Sequence, residues 1–472
     1  MRVLLISPNT KENAGKYNWS CPPLGCHRLA SWLNTHGHFA EVYDCNIHDN
    51  FEKKIKEGWN IIGFSCLQST LANDINQMWK AYELNPKALF IAGGIEATLN
   101  YANILDNSPV NHIILAEGEN ALLEIANGTP PDLVDGIISK RAKSHQLTSE
   151  DLWQYWSAID FRKLNYEAYW QQMRSMHPDD YEAEGGDTVR LITSTHCNRG
   201  CTFCCVTQWH RFAYDKVVKP AYLSAEQLYA LNMRIKDELP TMQSIYYVED
   251  DFIQKRDRAM ESFELMKDSG IRIQIQTHTS KLINDGVDKE LIKRIADGGC
   301  KHITMGVENC SDNVLKSLHK PQRIGLVSDI ILECKKNDIR PYLLIILFCP
   351  EATIADLKYN VKILNSWIEL GATISIEPNI MAYRGAPLYA SGYEMLYDTT
   401  KLDNGNFLRY PIRILPKDQD VRKVQVLFNK HWNTYLESKK VKHQFKGHTG
   451  KLMIEFLGMI LDDNKYKIID LP

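Results

Sequence analysis

Residues 195–205 read Thr-His-Cys-Asn-Arg-Gly-Cys-Thr-Phe-Cys-Cys and contain three regularly spaced cysteines, Cys197, Cys201 and Cys204. Three thiolates can hold three irons of a [4Fe–4S] cluster and leave the fourth iron open, whereas a structural or electron-transfer cluster normally takes four cysteines. The three residues between the first two cysteines let the backbone turn and aim amide donors at the sulfides. The stretch therefore predicts chemistry at an open iron.

Two other interpretations of this stretch were weighed. Zinc prefers a closed tetrahedral site built from paired CxxC knuckles, and no second knuckle follows at a usable spacing. Cys205 comes directly after Cys204 and is an alternative third ligand. The aromatic Phe203 just before the last ligand favours Cys204, and the alternative stays open.

The cysteine stretch resembles the signature of the radical S-adenosylmethionine (SAM) superfamily. There the open iron chelates the amino and carboxylate groups of SAM, and an electron from the cluster cleaves a carbon–sulfur bond to give a 5′-deoxyadenosyl radical. The resemblance implies a [4Fe–4S] cluster and SAM as cofactors, which the protein positions and shields from water and oxygen. Phe203 is expected to cover the cluster and to contact SAM.

Length and composition set the class of the protein. The 472 residues predict two or three domains, and a hydrophobic fraction of 44% with 24% charged residues is ordinary for a globular protein. A formal net charge of −3 gives no global field that would recruit nucleic acid or an anionic membrane. Twelve cysteines without a disulfide framework, no signal-peptide core and no membrane-length apolar run predict a cytoplasmic protein.

Residues 1–128 alternate short apolar runs with amphipathic helices, which predicts a doubly wound parallel sheet. Ligands of such sheets bind at the carboxyl ends of the strands. Small and polar groups stand at these predicted ends, and we expect them to contact a large planar ligand. They are Ser65, Gln68, Ser69, Thr70, Gly93, Gly94, Glu117 and Gly118.

The order of these pieces is similar to the cobalamin-binding domain that precedes the catalytic domain of many radical SAM enzymes. The resemblance implies cobalamin as a further cofactor. One departure is that the Asp-x-His-x-x-Gly box, which supplies an axial histidine to cobalt in other cobalamin proteins, is absent. Asp44 and His48 lie near each other but at a different spacing.

The remaining chain divides into three predicted parts. Residues 129–187 form an aromatic-rich linker that packs on its neighbours, and residues 188–390 repeat strand and helix six times, as in a partial (β/α)6 barrel with its site at the strand carboxyl ends. Residues 391–472 are predicted to be a small helical domain.

Acidic and polar residues follow the predicted barrel strands. Glu249 and Asp250 match the acidic motif after the second strand of radical SAM barrels, and Glu308 matches the glutamate that faces the nucleotide after the fourth. Thr277 and Ser280 follow the third strand and point toward the barrel mouth. We expect all five to contact SAM.

Three further residues are candidates for the chemical step. His278 follows the third predicted barrel strand, and Tyr383 and Arg384 follow the sixth, where a packing role is an equal alternative.

Domain order then indicates a reaction. A cobalamin domain ahead of a radical barrel resembles the cobalamin-dependent radical methyltransferases, which methylate an unactivated carbon, here of a small-molecule or peptide substrate. The alternative is a radical dehydratase, ring-rearranging, cyclising or epimerising enzyme with the same layout, with or without cobalamin. An RNA methylthiotransferase and a non-enzymatic binding protein are disfavoured by the net charge and by the intact cysteine triad. The expected partner is an electron donor such as flavodoxin or ferredoxin.

Overall fold

The structure is a computed structural model that describes residues 1–8, 21–138, 144, 146–176, 181–182, 185–439 and 446–462. Within these residues, thirteen strands fall into three sheets. The strands are β1 Arg2–Ser7, β2 Phe39–Asp44, β3 Ile61–Ser65, β4 Leu89–Gly93, β5 His112–Ile113, β6 Thr188–Leu191, β7 Ser244–Tyr247, β8 Arg272–Thr277, β9 Cys300–Glu308, β10 Arg340–Phe348, β11 Thr373–Asn379, β12 Met395–Lys401 and β13 Phe407–Ile414.

Helices connect these strands. They are α1 Leu24–Thr35, α2 Phe51–Ile55, α3 Leu71–Leu84, α4 Ile95–Leu99, α5 Tyr101–Asn107, α6 Glu119–Ala126, α7 Ser149–Ser157, α8 Tyr166–Met176, α9 Val206–Tyr214, α10 Ala225–Glu238, α11 Arg256–Met266, α12 Lys289–Asp297, α13 Asp312–Ser317, α14 Val327–Lys336, α15 Ile354–Glu369, α16 Gln419–Ser438 and α17 Lys446–Leu461. Among the described residues, no helix is both long and apolar enough to cross a membrane.

The N-terminal sheet confirms the predicted doubly wound fold. Its five parallel strands have the order β2-β1-β3-β4-β5. The strand order reverses direction between β1 and β3, and ligands of open parallel sheets bind in the crevice above such a reversal. β3 reads Ile-Ile-Gly-Phe-Ser and is buried on both faces, as expected of a parallel strand covered by helices.

The second sheet confirms the predicted partial barrel. Six parallel strands run in sequence order from β6 to β11. Apolar side chains of one strand face, such as Val189, Leu191, Ile245 and Ile303, join a core with the outer helices. The alternate side chains therefore face the lumen.

The linker packs on the barrel as predicted. Trp156 and Trp170 belong to the barrel core, and their indole N–H groups donate to the carbonyl of Ile192, just after β6, and to that of Thr188 in β6, at 3.1 and 3.0 Å. Residues 139–143, 145, 177–180 and 183–184 of the linker lie outside the described residues. The predicted boundaries after residues 128, 187 and 390 stay predictions.

The C-terminal part is helical in α16 and α17, as predicted, and it also contains an unpredicted antiparallel hairpin of β12 and β13. Leu402 and Leu408 of this hairpin are buried in a core cluster of the N-terminal sheet. The C-terminal part is therefore not purely helical, and its hairpin contacts the first domain.

Candidate active site

The cysteine stretch forms a loop between β6 and α9. Cys201 is buried, while Cys197, Cys204 and Cys205 are half-buried. Thr202 anchors the loop, because its amide donates to the carbonyl of Leu318 at 3.0 Å and its carbonyl accepts from the amide of Leu388 at 2.8 Å. The loop is thus tied to the segments that follow the fourth and sixth barrel strands.

The thiols of this loop are held in a partly dry environment. Burial raises the pKa of Cys197 to about 11 and that of Cys204 to about 12. The backbone amides of Arg199 and Val206 oppose this effect, since each donates to one of the two sulfurs and favours its thiolate. These amides fit the predicted role of donors toward a cluster.

The cysteines do not gather at one point. Within the part of the chain that is described, no three His, Cys, Asp or Glu side chains converge as one metal ion would require. The ligands of a cubane bind separate irons, so a cluster does not need such convergence. Cys205 directly precedes α9, and burial raises its pKa to about 11. The choice between Cys204 and Cys205 stays a prediction.

The two predicted carboxylates after β7 have different surroundings. Glu249 is buried, accepts hydrogen bonds from the amide and hydroxyl of Thr193, and pairs with Arg258 at 3.3 Å. Asp250 lines a large cavity, and its carboxylate accepts the backbone amide of Cys197. Although water reaches Asp250 within the cavity, surrounding protein raises the pKa of its carboxyl group. Asp250 therefore faces the cavity, whereas Glu249 is enclosed by protein partners, and their roles as SAM contacts stay predictions.

The third strand places Thr277, His278 and Ser280 beside the loop. Thr277 donates to Asp251 at 2.7 Å, and Arg199 pairs with Asp251 at 3.3 Å while donating to Ser280 at 3.1 Å. His278 accepts the amide of Ser280 at Nδ1, and its buried Nε2 has no hydrogen-bond partner. Burial, reinforced by nearby cations, lowers the pKa of His278 to about 2, so the ring is neutral.

Glu308 pairs with a cation that the sequence analysis missed. Lys320 forms a buried ion pair with Glu308, and its ammonium lies 5.7 Å from the ring centroid of Phe203. The charge of Lys320 also lowers the pKa of Cys201, against the larger effect of burial. Lys320 lies only twelve residues after Glu308, but nothing in its neighbourhood in the sequence marks it as a site residue.

A cavity of about 460 Å³ lies between the N-terminal sheet and the barrel. The N-terminal sheet contributes residues at the strand ends around the β1–β3 reversal. The barrel contributes the residues after β6 and β7 and the first turn of α9. The predicted cobalamin contacts that line it are Ser65, Gly93, Gly94, Glu117 and Gly118, and Asp250 is the predicted SAM contact on its barrel side.

Three predicted cobalamin contacts do not line this cavity. Gln68 donates to the carbonyls of Ala382 and Pro411 at 3.2 and 3.1 Å, which fastens the N-terminal domain to the end of the barrel. Thr70 is fully buried and donates to Asp74 at 3.0 Å, and Ser69 is exposed to solvent. The geometry therefore gives Gln68 and Thr70 structural roles.

The cavity floor permits close approach of a large ligand. Gly94 has φ of +97°, and a Cβ there would lie 3.1 Å from the carbonyl oxygen of Cys66. Both facts require glycine at this position. A wide, largely apolar cavity with a bare backbone floor fits the planar corrin of cobalamin.

No histidine is among the residues that line this cavity. Asp44 is instead held by Tyr169 and by the amide of Asn46 at 2.9 Å, while His48 contacts the backbone of Asp44.

Helix α9 joins the two halves of the site. Val206 and Trp209 line the cavity, while Tyr214 donates to Glu117 at 2.6 Å. Trp209 was not predicted, although its place one turn after the last cysteine could have indicated it.

Tyr383 and Arg384 follow β11, as predicted. Tyr383 is 41% exposed, and burial of its hydroxyl together with Glu377, Cys205 and Cys204 raises its pKa. The guanidinium of Arg384 lies 5.6 Å from the ring of Tyr389. Their catalytic roles stay predictions.

Comparison with known proteins agrees with this layout. Residues 191–362 match the Radical SAM superfamily, and residues 13–126 match the B12 binding domain. The chain therefore carries a B12-binding domain ahead of a radical SAM domain. The first domain implies cobalamin, and the second implies a [4Fe–4S] cluster and SAM.

Individual relatives are distant. The chain is 21% identical over 400 residues to the anaerobic magnesium-protoporphyrin IX monomethyl ester cyclase of Rubrivivax gelatinosus, covering 78% of this chain and 66% of the cyclase. Its fold is similar to that of the radical SAM methyltransferase TsrM from Kitasatospora setae, with a TM-score of 0.67, 14% identity, and 92% and 89% of the two chains covered. The cobalamin-dependent SAM radical enzyme OxsB gives a TM-score of 0.70 at 16% identity, with 100% of this chain and 73% of OxsB covered.

Proposed function

We propose that this protein is a cobalamin-dependent radical SAM methyltransferase that methylates an unactivated carbon of a small-molecule or peptide substrate. One observation carries the proposal: the cavity that fits a corrin is bounded by the residues that hydrogen-bond the cysteine loop. Asp250 accepts the amide of Cys197, and the amide of Val206 donates to Cys204, while both residues line the cavity. A fold shared with TsrM, which is a methyltransferase, supports the same reaction.

The chain's own residues would divide the work as follows. Cys197, Cys201 and Cys204 would hold the cluster, and Asp250, Ser280 and Glu308 would contact SAM. Ser65, Gly93, Gly94, Glu117 and Gly118 would line the corrin site. When bound, the cluster and SAM supply a 5′-deoxyadenosyl radical, and cobalamin supplies the methyl group.

Phe203 is half-buried and packs against the apolar cluster that includes Val314 and Leu388. In that position it would exclude water from the cluster. An electron donor such as flavodoxin or ferredoxin, in a reducing compartment, would complete the system.

The test is anaerobic reconstitution with iron, sulfide, cobalamin and SAM, followed by mass spectrometry of the SAM products. A methyltransferase of this type uses one SAM as methyl donor and another as radical source. It therefore forms both S-adenosylhomocysteine and 5′-deoxyadenosine. Formation of 5′-deoxyadenosine without S-adenosylhomocysteine would contradict methyl transfer.

A radical cyclisation is the second candidate, and the similarity to the magnesium-protoporphyrin ester cyclase favours it. The chain spans 66% of that cyclase's length, so the cyclase substrate is not carried over. SAM labelled with ¹³C in its methyl group separates the two reactions. Methylation places the label in the product derived from the substrate, whereas cyclisation leaves that product unlabelled and the labelled methyl stays on the methionine released from SAM.

A further inference from the structure

Arg190 is a cation in the barrel lumen, and among the described residues it has no anionic partner. It lies on β6 between Val189 and Leu191, which face the outer core, so its own side chain faces the lumen. Its guanidinium lies 5.7 Å from the ring centroid of Tyr246, its lumen neighbour on β7. No carboxylate within the described part of the chain forms an ion pair with it.

The lumen neighbours of Arg190 on β7, β8 and β9 are neutral, and Arg190 also lies within electrostatic range of the Cys21 thiol and the Tyr166 hydroxyl. Gln276 donates to the hydroxyl of Tyr246 at 2.6 Å, and that hydroxyl lies 3.3 Å from the hydroxyl of Thr304. His302 packs between Tyr246 and Tyr342 at ring-centroid distances of 6.5 and 5.2 Å. Burial and the charge of Arg340 lower the pKa of His302 to about 3, so the ring adds no charge near neutral pH.

Arg190, Tyr246 and Gln276 are only half-buried although they face inward. A guanidinium in such a position presents planar donors that match a carboxylate or phosphate group. A half-buried charge without a counter-ion is costly, so an anionic ligand would be stabilised there.

The position of Arg190 relates this anion site to the cavity. Ile192 and Val248 line the cavity, and they lie two residues beyond Arg190 and Tyr246 on the same strand faces. Two residues of a strand span about 7 Å. A ligand held at Arg190 would therefore extend about this distance along the lumen to the wall beside Asp250.

We propose that Arg190 binds an oxyanion, either carboxylate or phosphate, of a small-molecule substrate, with the reacting carbon about 7 Å farther up the lumen. Tyr246, Gln276 and Thr304 shape the site around this anion. The inference rests on the proposed function for the identity of the ligand as substrate. Anion binding itself does not require that SAM be cleaved.

The test measures binding of small probes to the reconstituted holoenzyme by calorimetry and by ligand-observed NMR. The probes are 3-phenylpropionate, benzoate and inorganic phosphate, with 3-phenylpropanamide and benzamide as neutral counterparts. The variants are R190Q and R190K, and the matched control is R294Q, which removes an exposed arginine on α12. Iron and cobalamin contents of each variant report whether it has folded and loaded.

We expect the wild-type protein and R294Q to bind at least one oxyanion and to ignore the amides. R190Q should bind that oxyanion about ten-fold more weakly than the wild type. The affinity of R190K should lie between those of the wild type and R190Q, because lysine keeps the positive charge and loses the planar guanidinium. Preference for phosphate over the carboxylates, or the reverse, identifies which oxyanion the substrate carries. The proposal is overturned if the wild type binds none of the three anions, binds the amides equally well, or loses nothing in a loaded R190Q variant.

Discussion

Glu249 and Asp250 are adjacent carboxylates that meet different environments. The side chain of Glu249 is enclosed by Thr193 and Arg258, whereas that of Asp250 reaches the cavity. We expect E249Q to lower the free energy of unfolding by about 3 kcal/mol, because Arg258 would remain buried without a counter-charge. Urea unfolding of the cofactor-free protein measures this loss.

D250N is the matched substitution one residue later. We expect it to leave the unfolding free energy within about 1 kcal/mol of wild type, because its carboxylate is accessible to water. It should instead reduce 5′-deoxyadenosine formation in the reconstituted enzyme. Equal destabilisation by the two variants would show that their surroundings do not differ as described.

Cys204 and Cys205 give a second comparison of neighbours. The sulfur of Cys204 accepts the amide of Val206, while Cys205 lies at the start of α9. We expect C204A to lose most of its cluster iron and to form no 5′-deoxyadenosine, as C201A should, and C205A to retain both. Iron analysis and mass spectrometry check the result. Iron retained by C204A but lost by C205A would assign the third ligand to Cys205.

Single residues also mark the limit of prediction from sequence. The spacing of the cysteines is local, so the loop could be found without a fold. The partner of Glu308 could not be found in this way. Lys320 comes close to Glu308 only because the chain turns back after α13. The sequence likewise could not show whether Glu249 or Asp250 would face the cavity. Both residues follow the end of β7 at Tyr247, so the alternation of side chains along a strand does not apply to them.

Among the elements, α9 has the most direct link to both halves of the site. It begins after the cysteine loop, lines the cavity with Trp209 and reaches Glu117 through Tyr214. We expect W209A to weaken cobalamin binding about ten-fold or more, because a large aromatic wall is lost. Absorbance titration of the protein with cobalamin measures the effect.

F212A is the control on the same helix. Phe212 is 46% exposed and stacks on Tyr101 outside the cavity. Its removal should leave cobalamin affinity unchanged. If both variants lose affinity equally, the effect comes from the stability of α9 and not from contact with the ligand.

The elements that periodicity predicts well are those with a clearly buried strand or a clearly buried helix face. Strand β3 is a short apolar run, and helices α10 and α12 are amphipathic, because the apolar pattern follows their burial. The hairpin was missed because β12 is exposed along most of its length and β13 contains Pro411. Neither strand has the clean alternation that marks a half-buried sheet.

At the scale of the whole molecule, buried histidines affect stability in acid. Burial lowers the pKa of His302 to about 3, below the ordinary value near 6.5. Below pH 6.5 the unfolded chain therefore binds a proton at His302 that the folded protein does not bind. The stability contributed by neutral His302 is complete above pH 6.5 and is lost as the pH falls toward 3. We expect the unfolding free energy of H302Q to fall less steeply with decreasing pH than that of the wild type, by about 1.4 kcal/mol per pH unit below 6.5.

Urea unfolding of cofactor-free wild type and H302Q at pH 7 and pH 5 tests this expectation. The difference between the two pH values is the readout, so a general loss of stability in the variant does not affect it. The same pH dependence in both proteins would mean that His302 is protonated in the folded state.

The hairpin also has a consequence for how the protein is made. Leu402 and Leu408 are part of the core beneath the N-terminal sheet, yet Leu402 lies 274 residues beyond Gly128. At translation rates of about 5–20 residues per second, the ribosome needs roughly 15 to 55 s to add that length. Throughout this interval the nascent first domain has an open apolar surface, so its burial depends on completion of the barrel.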